Sequence, residues 1–181
     1  MFRKKIKVGI SKSLLWLLLV FCLQLNVGCQ RDDICPESTP TTPMLNVSFF
    51  DTEDPEIPKP PVNLTVRAVF YDTIIQFRGN DSSLRLPLRL DAQATQYEFI
   101  LNAQAVPQEG EEAPADISNR DLITFSYTPE QIYTNRACGF KVNFLNLNAQ
   151  LDGDGTPWIN TIIVEEENIE NETDTHIIIY H

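Results

Sequence analysis

What most limits the fold of this chain is a two-residue rhythm that recurs from Leu45 almost to the end. Leu45, Val47 and Phe49 alternate with Asn46 and Ser48, and Val62, Leu64, Val66 and Ala68 alternate with Asn63, Thr65 and Arg67. In "SLRLPLRLD" Leu84, Leu86, Leu88 and Leu90 fall on one side, with Arg85, Pro87 and Arg89 on the other. Tyr97, Phe99 and Leu101 repeat the pattern. Successive side chains of a strand point to opposite faces, so this rhythm predicts half-buried strands. Further strands are expected at 122–127, 140–147, 158–164 and 176–180, and no long segment keeps a helical period. The apolar phase slips between Phe144 and Leu145, the mark of a β-bulge. Pro87 would remove a ladder hydrogen bond from a central strand, so its strand belongs at an edge or carries a bulge. "TPEQIY", 128–133, offers a single helical turn, with Pro129 and Glu130 after Thr128.

Eight or nine short strands in about 110 folded residues, separated by turn-rich connectors, predict an all-β fold, an antiparallel immunoglobulin-like β-sandwich. A small β-barrel is the alternative, because it too buries alternating faces and closes with short loops. The longest polar stretch, 102–121, reads as a surface loop.

Ahead of this body the chain is of another kind. Arg3, Lys4, Lys5, Lys7 and Lys12 precede an almost wholly apolar run, 14–25. A membrane-spanning helix needs about 20 apolar residues, whereas a signal-peptide core needs about 7–15, which favours a cleaved leader over an uncleaved N-terminal anchor. "LNVGC" resembles the lipobox of bacterial lipoproteins, whose cysteine receives diacylglycerol and becomes the mature N-terminus. Gly28 supplies the small residue before the cut and Cys29 the thiol after it, while Asn26 stands where Leu is commonest. Acyl chains contribute about 0.8 kcal/mol per buried CH₂, enough together to hold a protein on a membrane without a span. Gln30, Arg31, Asp32 and Asp33 resemble the export signal of surface lipoproteins in Bacteroidetes. The expected order is therefore a leader over 1–28, a lipidated flexible tether over 29–43 and a sandwich domain over 44–181. The expected location is the outer membrane, surface-exposed in preference to periplasm-facing.

Charge narrows the partners. The leader takes five of the 14 basic residues and none of the 25 acidic ones, which leaves nine cations against 25 anions, a mature charge of −16. Nucleic acid is a poor partner for such a chain, because each phosphate contact wants a cation. Cys22 leaves with the leader and Cys29 goes to lipid, so Cys35 and Cys138 remain as a pair in an oxidising compartment. A disulfide between them is expected, with free or catalytic thiols as alternatives.

Side chains that could carry chemistry are few. "DGDG", 152–155, places Asp152 and Asp154 among glycines as a weak calcium site. The EF-hand pattern fails on Pro157 and Ile163, and a tight hairpin between two strands explains the same residues. Glu165, Glu166 and Glu167 read as solvated charges at a sheet end, and His176 and His181 as an unsuitable metal pair. Arg85 and Arg89 share a face, with Glu98 on the expected neighbouring strand for cross-strand pairing. Trp158 is either a core aromatic or a sugar-stacking platform. "DTI", 72–74, fits a short O-glycosylation pattern at Thr73. No catalytic set and no cofactor site is visible, apart from the lipid on Cys29.

Taken together, "CQRDDIC", "FFD" with "KPPVNLTV", and "TNRACGFKVNFLNL" resemble a family of uncharacterised lipoproteins from flavobacteria and their relatives, known only as a domain of unknown function. The resemblance covers most of the mature chain, and Cys35 and Cys138 are its sharpest part. It implies a lipid-anchored, disulfide-bonded envelope protein and carries no activity with it. Two functions follow as expectations. One is a non-enzymatic binding or structural module whose partners are the outer membrane, the lipoprotein processing and export machinery, and an envelope protein or glycan. The other is a hydrolase or glycan-processing enzyme with a site built from loops.

Overall fold

The computed structural model describes residues 12, 16–17, 34–69, 74–76, 81–104, 115–153 and 155–181, with 74–76 as backbone only. The leader cleavage site, Cys29, the stretch from Gln30 to Asp33, Thr73 and Asp154 lie outside the described residues.

Among the described residues there are nine strands: β1 (Leu45–Phe50), β2 (Thr65–Ala68), β3 (Ile74–Gln76), β4 (Ser83–Leu86), β5 (Ala94–Leu101), β6 (Asn119–Asn135), β7 (Gly139–Asp152), β8 (Thr161–Val164) and β9 (Ile177–Tyr180). They form a four-stranded sheet in the order β4-β1-β9-β8 and a five-stranded sheet in the order β3-β2-β5-β6-β7. The two sheets pack as a β-sandwich and not as a closed barrel, which fulfils the reading of the alternation. Within the strands burial follows the period-two pattern, and Leu45, Val47 and Phe49 of β1 meet Val66, Phe99, Phe125 and Phe144 of the other sheet in one core, whereas Val62 and Leu90, which the alternation places on buried faces, lie outside β2 and β4 and are exposed. One pair departs from the antiparallel expectation, since β1 runs parallel to β9.

The hairpin of β6 and β7 is much longer than the alternation predicts. β5 pairs with β6 only from Asn119 to Ser126, so from Thr128 onward β7 is the sole ladder partner of β6 among the described residues. Two-stranded ribbons are marginal in water, and this one is supported along its far edge. Phe144 exchanges both backbone hydrogen bonds with Ile169, at 3.2 and 2.7 Å, and Leu147 N–H donates to Glu167 O at 2.7 Å. Val142 N–H donates to Thr42 Oγ1 at 2.9 Å. Covering β7 in this way removes an edge that could pair with another chain. The expected bulge lies here: register passes from Ser126↔Asn148 to Thr128↔Leu145, and Asn146 takes up the extra residue at φ 55°.

The helical turn expected at 128–133 does not form, because these residues lie inside β6. Pro129 is opposite Phe144, whose own N–H and C=O point away from β6 to Ile169. Antiparallel partners share that alternation, so the proline nitrogen also faces outward, where β5 has already ended. The missing donor therefore interrupts no ladder, and tertiary pairing overrides the local helix-start signal. Pro87 lies just past the end of β4, an edge strand, as the proline predicts.

Candidate functional site

Two parts of the sandwich invite a functional reading, one at the tip of the long hairpin and one on the outer face of the five-stranded sheet. The tip is a short turn. Asn135 Oδ1 accepts from Ala137 N–H at 2.9 Å and from Cys138 N–H at 2.8 Å, and Gly139 closes the turn at φ 74°. Left-handed backbone is costly for any residue with a Cβ, so Gly139 is required by conformation; a Cβ there would meet nothing within 4 Å. The turn presents Cys138 to Cys35, and the two form a disulfide with Cα atoms 4.8 Å apart. The stretch expected to be an extended, mobile tether is thus fastened from Cys35 onward. Thr39 N–H closes a turn on Pro36 O at 3.0 Å, and Met44 N–H donates to Glu172 Oε1 at 3.0 Å.

The outer face of the five-stranded sheet carries a polar row set by register. Arg67, Glu98, Leu122 and Asp152 stand side by side on β2, β5, β6 and β7. Arg67 pairs with Glu98, Arg120 approaches the other carboxylate oxygen of Glu98 at 3.7 Å, and Arg120 also reaches Asp116 at 3.9 Å. Thr124 donates to Asp152 and accepts from Gln96 Nε2 at 2.9 Å. Beside them lies an open hollow of about 700 Å³ lined by Arg67, Glu98, Arg120, Gln150 and Asp152. Its chemistry is that of a shallow surface carrying both signs of charge and able to hydrogen-bond a polar partner. The hydroxyl and the backbone N–H of Ser118 hold the Asp116 carboxyl below its usual range.

The other expected residues disperse. Arg85 and Arg89 do not pair with Glu98: β4 belongs to the opposite sheet, Arg85 bonds Glu172 at 3.1 Å, and Arg89 bonds Asp91 at 3.1 Å. The hairpin expected at 152–155 is a connection between sheets, because β7 and β8 lie in different ones. Neither Gly153 nor Gly155 adopts left-handed backbone. Asp152 is taken up by Thr124, and among the described residues no cluster of three or more His, Cys, Asp or Glu side chains could hold a metal ion. Trp158 is a core residue, buried, with its indole N–H on Phe99 O at 3.2 Å and its ring 5.4 Å from that of His181. Its place in the core removes the sugar-stacking platform. Glu165, Glu166 and Glu167 are exposed, in keeping with solvated charges.

His176 and His181 sit at opposite ends of β9. His176 Nδ1 accepts Asn46 N–H at 2.9 Å, and burial pushes its pKa down against the pull of Asp174, Glu166 and Glu172. His181 contacts Lys59 O through Nε2 at 2.9 Å, and burial again lowers its pKa. Sequence reasoning missed the Arg67–Glu98–Arg120 group because it depends on which strands are neighbours. The alternation could have placed Arg67 and Glu98 on outer faces, but not side by side.

A family model described as a family of unknown function, DUF6452, matches residues 63–181, a span that holds Cys138 and not Cys35. No curated protein and no solved structure matches the chain. With the model running from just before β2 to the last residue, the chain belongs to the family of unknown function DUF6452.

Proposed function

We propose that the protein is an outer-membrane lipoprotein, acylated on Cys29, that displays a non-enzymatic binding or structural module on a short leash. The observation that carries this reading is the Cys35–Cys138 bridge, which fastens the folded body only six residues beyond Cys29. Lipidation there would hold the sandwich by the tip of its longest hairpin. The charged face would then be held at a distance from the membrane, because Leu122 lies thirteen residues along β6 from Asn135, about 40 Å of strand.

That face is shallow and polar, which suits an envelope protein or a glycan better than a small apolar ligand. His176 is buried and His181 half-buried, and both are engaged with backbone groups, which supports binding over hydrolysis. Gln30, Arg31, Asp32 and Asp33 would direct export to the cell surface. Changing Cys29 to Ser tests the anchor: the variant should appear in the soluble fraction, and the native protein should carry diacylglycerol on an N-terminal Cys29. A Cys29→Ser protein that stays with the membrane after loss of its leader would refute the reading.

A further inference from the structure

The apolar row of β7 does not stop where the core stops. Phe144, Val142 and Phe140 alternate on one face, opposite Pro129, Gln131 and Tyr133 of β6. Exposure climbs along that row from 0% at Phe144 and 6% at Val142 to 65% at Phe140, and Tyr133 is 59% exposed. The two aromatic rings meet edge to face, 5.3 Å between centroids, on the ribbon that extends past β5.

Charge changes at the same place. From Tyr133 to Lys141 the chain carries Arg136 and Lys141 and no carboxylate, although its net charge is −11. Cys138 lies between the two aromatics and is bridged to Cys35. Six residues of chain reach at most about 20 Å, so an acyl group on Cys29 could never be far from these rings. Paired aromatics beside cations are what a phospholipid interface accommodates, rings at the headgroup level and cations against anionic lipid.

We propose that the Tyr133–Phe140 pair, flanked by Arg136 and Lys141, is a second membrane contact that seats the hairpin tip in the bilayer interface. This rests on the lipid-anchor reading and deepens it: a single greasy attachment leaves a body free to swivel, whereas two signals close together hold it in one orientation.

The lipidated protein carrying Phe140→Trp, in vesicles of phosphatidylethanolamine and phosphatidylglycerol with brominated acyl chains, tests this. The new indole replaces an exposed ring, so the fold is undisturbed. If it sits ~5–10 Å into the headgroup and acyl boundary, bromine should remove at least about half of its emission. The same protein without the substitution, with buried Trp158 as the mature chain's own tryptophan, should lose almost none. Flotation with the vesicles and the mass of the N-terminal peptide report the anchor separately. Flotation with no extra quenching overturns the tip contact and leaves the anchor standing; failure to float, with an unacylated Cys29, overturns both. A tip that cross-links to protein in intact cells and shows no quenching would assign this surface to a protein partner and overturn the lipid contact.

Discussion

Removing the bridge between Cys35 and Cys138 should cost most of the stability that one change can cost this protein. The cysteines are 103 residues apart in sequence. Closing a loop of that length lowers the entropy of the unfolded chain by an amount that chain statistics place at about 4.7 kcal/mol. The loss acts on the unfolded ensemble, so the native contacts of the strap, Thr42 to Val142 and Met44 to Glu172, do not replace it. With a urea m-value of about 2 kcal/mol/M for a domain of this size, the unfolding midpoint should fall by roughly 2 M urea. Cys35→Ser, Cys138→Ser and the double variant should agree within about 0.5 kcal/mol, because each removes the same cross-link. Hydrogen exchange adds a local readout: with the strap untied, Val142 N–H should exchange faster before the body unfolds, since its acceptor is Thr42 Oγ1. A midpoint shift under about 0.5 M urea, in protein shown by mass to have been bridged, would refute the claim that the bridge stabilises by closing that loop.

Other perturbations follow from single contacts. Both histidines have pKa values held below the ordinary 6.5, by burial first. A depressed folded pKa means the unfolded state takes up protons first, so their contribution is complete above about pH 6.5 and drains away as pH falls through the folded values. NMR titration should show both imidazoles charging below 6.5, and an imidazole of His176 that titrates at or above that value sinks the assignment. Trp158→Phe should destabilise by about 1–2 kcal/mol in urea melts, because it leaves buried Phe99 O without its indole donor. A change within error would mean that water or repacking satisfies the carbonyl. Glu98→Gln should cost less than about 1 kcal/mol, since Arg67 and Arg120 are about half exposed, and the cost should shrink with added salt. A salt-independent loss of several kcal/mol would show that Glu98 acts through something other than these ion pairs.

The sandwich was legible because alternation reports burial directly: each of Leu45, Val47, Phe49, Leu84, Leu86, Tyr97 and Phe99 is buried where the period places it. The edge position of the Pro87 strand and the bulge near Leu145 were legible for the same reason, a local pattern with a local consequence. The Cys35–Cys138 pair came from counting thiols. The short β3 was not found, and 128–133 was misread as a helical turn, because both depend on a neighbour that no window of sequence contains.

What the chain's own residues determined, then, is that its faces alternate, where its strands must bend or end, and which two sulfurs are available to join. Tertiary structure alone decided that β4 and β5 part into opposite sheets, that Glu98 meets Arg67 and Arg120, and that the apolar row of β7 outruns its core at Phe140. The division has one physical reason. Periodicity tells a residue which side of its own strand it occupies, whereas pairing and exposure depend on strands brought alongside from elsewhere in the chain.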